Sequence, residues 1–223
     1  GRVYRTKTYN IPEAGRTAKG TPVVNIIEKS PEEKISEIIP VKEFSDNEYL
    51  VMVTKNGVIK KTPASEYESI RKSGKIAITL KEGDELISIF KTTGNDNIFL
   101  ATRNGMAICF NENDARAVGR TASGVKAIDL ADGDYVVGAE PVREDSKVLL
   151  VTDGGYGKCT DLTSFRIQHR GGKGLKAYKI TEKTGNIIGI SMVNDSEELI
   201  MVTSEGVVIR IRIKDIATTT GRI

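Results

Sequence analysis

A short phrase made of a basic residue, small residues and a closing glycine returns four times along this chain. Its copies are Arg16-Thr17-Ala18-Lys19-Gly20, Arg71-Lys72-Ser73-Gly74, Arg120-Thr121-Ala122-Ser123-Gly124 and Arg170-Gly171-Gly172-Lys173-Gly174. The closing glycines stand 54, 50 and 50 residues apart. A fixed period of this size confines a chain to repeat architectures, in which each unit buries its apolar face against the next. A second phrase keeps the same period: Leu50–Gly57, Phe99–Gly105, Leu149–Gly155 and Ile200–Gly206 each carry an apolar run, a threonine, polar residues and a glycine. Glycine at the end of such a run supplies the positive φ of a tight turn, so each copy reads as a strand entering a hairpin.

The expected return strands are Val58–Lys61, Met106–Phe110, Tyr156–Thr160 and Val207–Arg212. Each leads through a loop into the basic-glycine phrase and a further strand, at Pro22–Ile27, Ala77–Leu80, Val125–Leu130 and Leu175–Ile180. An acidic turn follows, then Ile35–Val41, Leu86–Lys91, Tyr135–Val142 and Ile187–Val193. That is four strands per period, with room for one helical turn in Ser65–Arg71. The expected fold is all-β, a propeller-like ring of four-stranded blades. Gly1–Arg5 matches a return strand and Thr218–Arg222 opens a fifth basic loop. The reading is a single domain over 1–223, truncated at both ends, with repeats roughly at 1–56, 57–104, 105–154, 155–205 and, in part, 206–223.

Net charge is only +3, from 33 basic and 30 acidic residues, so any polyanion-binding argument must come from arrangement. The acids fall in turns and the cations in the loops before glycine, which segregates sign by structural address. No apolar run is long enough to cross a bilayer, and no secretory signal is visible. Cys109 and Cys159 occupy equivalent repeat positions, too far apart to bridge, and read as reduced thiols of an intracellular protein. One histidine and no Cys-x-x-Cys pair give no support to a metal site.

Cationic side chains and the N–H groups of a glycine-rich loop both suit phosphate. The expected contacts are Arg16 and Lys19 in the first loop, and Arg71, Lys72 and Lys75 in the second. Arg120 and Lys126 follow in the third, and Arg170, Lys173 and Lys176 in the fourth. Lys60, Lys61 and Lys158 on the return strands form a second rank. Turning and solubility alone would not put a cation at one address four times. Gly15-x4-Gly20 and Gly119-x4-Gly124 imitate P-loop spacing, but Thr21-Pro22 and Val125-Lys126 stand where Lys-[Ser/Thr] is needed, and no helix follows. His169 has no nucleophile or acid partner in sequence, and no catalytic residue is assigned. Scarce aromatics disfavour single-strand stacking, and the absence of a recognition helix disfavours base readout. What remains is duplex held by its backbone and selected by bendability.

Several stretches resemble the C-terminal domain of the bacterial DNA gyrase A subunit. They are Gly1-Arg2-Val3-Tyr4, Ile11–Gly20 with Pro22-Val23-Val24-Asn25, Lys60-Lys61-Thr62, Gly155-Tyr156-Gly157-Lys158 and Arg170–Gly174. The resemblance implies a β-pinwheel, normally six-bladed, whose blades exchange strands. It also implies an outer edge that wraps double-stranded DNA and presents a crossover to the catalytic core for negative supercoiling. The implied partners are the gyrase B subunit, the rest of the gyrase A subunit in an A2B2 assembly, and the chromosome in the bacterial cytoplasm. No cofactor is expected here, ATP and Mg being implied for the holoenzyme. The family's Gln-Arg-Arg-Gly-Gly-Lys-Gly box belongs upstream of Gly1. Gln168-His169-Arg170-Gly171-Gly172-Lys173-Gly174 resembles it in a later repeat, with histidine at the second place. Cys109 and Cys159 replace the cations found at the equivalent places Arg5, Lys61 and Arg210, which implies a weaker grip in those blades. The rival readings are the homologous domain of topoisomerase IV and a propeller used for protein interaction.

Overall fold

Residues 1–221 are described by a computed structural model. Arg222, expected in the fifth basic loop, lies outside them. In chain order the strands begin with β1 (Arg2–Val3), β2 (Tyr49–Thr54), β3 (Val58–Pro63), β4 (Lys75–Ile76) and β5 (Leu86–Thr92). The next repeat contributes β6 (Asn97–Thr102), β7 (Met106–Asn111), β8 (Val125–Lys126) and β9 (Val136–Pro141). Then come β10 (Lys147–Thr152), β11 (Gly157–Asp161), β12 (Leu175–Lys176) and β13 (Ile187–Val193). β14 (Glu198–Val202), β15 (Val208–Arg212) and β16 (Thr218–Thr219) complete the series.

The second sequence phrase forms the hairpin turn in all four copies, and its threonine explains why. The Oγ1 atoms of Thr54, Thr102, Thr152 and Thr203 accept the amides of Val58, Met106, Tyr156 and Val207 at 3.1–3.2 Å. The turn glycines Gly57, Gly105, Gly155 and Gly206 have φ of 78°, 87°, 78° and 82°. Acidic turns brace two of these hairpins from outside: Asp84 accepts the Asn56 amide at 2.9 Å and Asp134 the Asn104 amide at 3.0 Å.

Three four-stranded sheets result, in the orders β5-β2-β3-β8, β9-β6-β7-β12 and β13-β10-β11-β16. β8 follows the hairpin β6–β7 in sequence yet pairs with β3, and β12 follows β10–β11 yet pairs with β7. The blades therefore exchange strands, so the all-β, propeller-like blades expected from the repeats take the pinwheel form that the resemblance implied. Each sheet buries both faces. Val51 and Val53 meet Ile98, Leu100 and Ile108 on one side of β2, while Leu50 and Met52 meet Tyr67 and Ile78 on the other. Phe99 and Ala101 in turn pack on Val148 and Leu150. Burial on both faces gives unbroken apolar runs where one-sided strands would alternate. At one end of the blade order β5 packs on β9, and β9 on β13. The exchanged strands lie at the opposite, outer edge.

The expected strands Val125–Leu130 and Leu175–Ile180 shrink to their first two residues, and Ala77–Leu80 is not a strand, the pairing falling just before it at Lys75–Ile76, because the chain leaves the ladder and tucks under the backbone of the preceding blade. Ala127 donates its amide to Gly57 O at 2.7 Å, Ala177 to Gly105 O at 2.8 Å and Ala77 to Gly1 O at 2.9 Å. Pro22–Ile27 and Ile35–Val41 are not strands: the first holds a 3-10 turn at Val23–Asn25, and the second has no regular structure. A strand needs a ladder partner. Among the described residues neither segment has one. The helical turn expected in Ser65–Arg71 is a 3-10 turn at Ala64–Tyr67.

The glycines that close the basic loops, Gly20, Gly74, Gly124 and Gly174, have φ of 73°, 73°, 91° and 74°. At Gly124 a Cβ would stand 2.5 Å from Ile59 O, and at Gly174 it would strike Ala107 O; at Gly20 it meets nothing. Gly174→Ala combines a left-handed backbone with a backbone collision, an expected cost of about 2–4 kcal/mol. Gly20→Ala carries the backbone term alone, about 1 kcal/mol. Calorimetric melting of the two variants checks the difference; equal shifts would mean the exchanged strand is not pinned there.

Candidate nucleic-acid interface

The third and fourth basic loops are each an excursion between two contacts with one return strand. The first contact is parallel: Ala117 lies beside Lys61 and Ile167 beside Cys109. Val118 donates to Lys61 O at 2.9 Å and Gln168 to Cys109 O at 2.8 Å. The second is antiparallel, Val125 opposite Ile59 and Leu175 opposite Ala107. Residues 118–124 and 168–174 are thereby pushed out from the blade edge farthest from the strands that pack blade on blade.

The loops are joined in series. Arg120 Nη1 donates to Ile76 O at 3.0 Å, and Arg170 Nη1 makes the equivalent bond to Lys126 O at 2.9 Å. Backbone bonds run alongside: Thr79 donates to Ala122 O at 3.3 Å, Gly171 to Ala127 O at 2.6 Å, and Asp129 to Gly172 O at 2.9 Å. Successive loops thus abut along the outer edge. Asp129 reports the resulting field: a 2.7 Å hydrogen bond from Lys126, the Lys126 charge and then Lys173 hold its carboxyl below the usual range. Cations from two different loops act on one carboxylate.

Arg71, Lys72, Lys126, Lys173 and Lys176 are exposed, and Lys75 is half-buried. Arg16 and Lys19 are exposed too, on the segment that lacks a ladder. Arg120 and Arg170 are half-buried and engaged with backbone. Lys158 is half-buried, its Nζ 5.4 Å from the Tyr178 ring centre, and burial pushes its ammonium down from the ordinary value. In the box-like loop, His169 Nδ1 lies 3.2 Å from Asp114 Oδ2, and the same oxygen accepts the Arg170 amide at 3.1 Å.

Lys60 and Lys61 are corrected. Both are buried, at 1% and 4% exposure. Lys60 lies beneath the third basic loop and donates to Ala77 O and Arg120 O. Burial, with the Arg120 charge second, pushes its ammonium down to about 8. Lys61 forms an ion pair with Glu112 at 2.9 Å and sits 4.3 Å from the Tyr49 ring centre. Neither presents its cation to a ligand at the rim. Cys109 and Cys159 are buried at the register of Lys61, whereas Arg210 is exposed there. Burial pushes the Cys109 thiol up to about 11.

The separation of sign by address is also incomplete. Glu66 lies 3.8 Å from Arg120 Nε, while Asp114 and Asp129 stand among the loop cations. Sequence reasoning missed Glu112, fully buried and accepting from Thr92 Oγ1 at 2.8 Å and from the amides of Gly94 and Asp96 at 2.9 and 2.8 Å. A signal for it exists in the repeats: the same position holds Ala64, Leu162 and Ile213 elsewhere. Among the described residues no group of three or more His, Cys, Asp or Glu is placed to hold a metal ion.

A family model described as the DNA gyrase C-terminal domain, beta-propeller, matches residues 1–42, 48–93, 96–143, 146–194 and 197–223. The chain is 57% identical to the DNA gyrase A subunit of Halalkalibacterium halodurans over its whole length, and covers 27% of that protein. It is 53% identical to the corresponding protein of Clostridium acetobutylicum, 98% of the chain covering 26% of that relative. The chain thus spans about a quarter of the length of these relatives. Among solved structures, the C-terminal domain of a DNA topoisomerase IV superposes with a TM-score of 0.88 at 30% identity, covering 96% of this chain and 67% of that one. A DNA gyrase A C-terminal domain gives 0.84 at 25% identity, with 100% and 72% covered.

Proposed function

The chain belongs to the DNA gyrase C-terminal domain family, and from that membership we propose that it binds, bends and wraps duplex DNA around its outer rim. The observation that carries this reading is the joining of successive basic loops along the blade edges, through Arg120 to Ile76 O and Arg170 to Lys126 O. A row of cations on a curved edge neutralises phosphates and releases counterions without reading bases. Repayment of the bending energy through added contacts then favours flexible sequences. Arg16, Lys19, Arg71, Lys72, Lys75, Lys126, Lys173 and Lys176 are the proposed phosphate contacts, with Lys158 secondary.

In the whole protein the wrapped segment presents a crossover to a type IIA topoisomerase core, the chain itself being non-catalytic. The proposed assembly is A2B2 in the bacterial cytoplasm. ATP and Mg would serve the gyrase B partner. Sequence identity of 53–57% to gyrase A proteins over nearly the whole chain supports gyrase, while the two solved domains, at 30% and 25% identity, do not separate it from its homologue. The test closes relaxed nicked circles with ligase in the presence of the protein and then measures linking number. A shifted topoisomer distribution is the expected result; an unshifted one would reduce the domain to a protein-interaction propeller.

A further inference from the structure

Two of the rim arginines commit guanidinium donors to backbone carbonyls. Arg170 gives Nε to Asp114 O at 2.8 Å and Nη1 to Lys126 O at 2.9 Å, so its planar fork spans the carbonyls of two different segments. Arg120 repeats the second bond one repeat earlier, on Ile76 O at 3.0 Å, with its Nε turned towards Glu66. Each guanidinium therefore ties the loop on one blade edge to the exchanged strand on the preceding blade edge. The geometry points to Arg120 and Arg170 as positioning residues that set the angle between consecutive DNA-contact loops, the phosphates being taken by the exposed lysines around them. The assignment rests on the DNA-wrapping reading.

The physical reasons converge. The bonds that Arg170 makes through Nε and Nη1 fix the orientation of its guanidinium plane against the protein. Arginine's rigid fork suits a two-point tie, whereas lysine offers a single swinging point. Contact sites held at a preset angle lower the cost of bending the duplex, because the ordering is complete before DNA arrives. Lys60 supports the same loop from beneath through Arg120 O, so the tie is braced on both sides. The lysines nearest these ties, Lys126 and Lys173, stay exposed.

Arg170→Gln and Lys173→Gln, made in the full-length protein, separate the roles. Two quantities are measured on a linear duplex labelled at both ends: the slope of log affinity against log salt, and the end-to-end energy transfer at saturating protein. A phosphate contact contributes roughly 0.9 to the slope. The expected result is a slope lowered by about 0.9 with the bend kept for Lys173→Gln, and the slope kept with the bend reduced for Arg170→Gln. A slope loss in Arg170→Gln equal to that of Lys173→Gln, with the bend intact, overturns the assignment. If Arg170→Gln melts before it can be assayed, Arg170→Lys keeps the charge: a reduced bend supports the tie, and wild-type bending overturns it. Hydrogen exchange without DNA reads the tie separately, with faster exchange expected at the amides of Gly171 and Asp129 in either Arg170 variant. Unchanged exchange at both amides overturns the tie. Absence of salt-dependent binding by the unsubstituted protein would sink the wrapping reading and leave the exchange result standing.

Discussion

Glu112→Ala should lower stability by about 3–5 kcal/mol, the usual consequence of leaving one charge of a buried pair without its partner. At roughly 2–4 °C per kcal/mol for a chain of this size, the melting temperature falls by about 6–20 °C. The carboxylate has no exposure, and it holds Lys61 at 2.9 Å together with three further donors, Thr92 Oγ1 and the amides of Gly94 and Asp96. Lys61 comes from β3 and Glu112 from the turn after β7, so the pair ties two blades together at the height of the third basic loop. Removing the acid strands the Lys61 ammonium and three donors at once. Lys61→Met with Glu112→Leu removes both charges and should recover the part of the loss that comes from the stranded ammonium, while the three donors still lack their acceptor. Calorimetry of Glu112→Ala and the double mutant, with hydrogen exchange at Gly94 and Asp96, makes the comparison. A Glu112→Ala protein melting within about 2 °C of the parent, less than 1 kcal/mol, would show that the two blades do not depend on this pair.

The parts of this fold legible in the sequence are those dictated by backbone chemistry. Thr54, Thr102, Thr152 and Thr203 cap their hairpins as the repeated phrase requires, and positive φ at the closing glycines follows from the same repetition. Local signals of this kind survive any tertiary arrangement. The first repeat departs from its sequence pattern at 22–27 and 35–41 because strand propensity describes a half-buried pleated surface, and these segments have no ladder to complete it. Lys60 and Lys61 depart for a different reason. Charge alone argues for exposure, yet the register sets Lys61 level with two cysteines in neighbouring blades, and cysteine is among the residues most often buried. Ile108 marks the place of Lys60 in the same way. Reading across the repeats at one position carries more information about burial than reading along the chain. That comparison also exposes Glu112 as the one acid at a place held by Thr8, Ala64, Leu162 and Ile213 in the other repeats.

Neutralising Lys72, Lys126, Lys173 and Lys176 together as glutamines should cost DNA affinity far more than fold stability. Each lysine is exposed, and the Lys126–Asp129 pair at 2.7 Å is a surface pair. Pairs of that kind contribute about 0–1 kcal/mol, so the melting temperature should move by only a few degrees. Binding is another matter. Four lost phosphate contacts remove about 3.6 from the slope of log affinity against log salt, and at about 0.1 M salt that is a loss of roughly 10³–10⁴ in affinity. Lys183 supplies the control: it stands in the turn at 182–184, its Nζ 5.9 Å from the ring centre of Tyr156 beside a hairpin tip, and its glutamine variant should leave the slope unchanged. The comparison separates a rim path from a general attraction of DNA to a weakly basic protein. A general attraction would follow net charge and fall equally in both cases, lysine for lysine, whereas a rim path responds only where the loops abut.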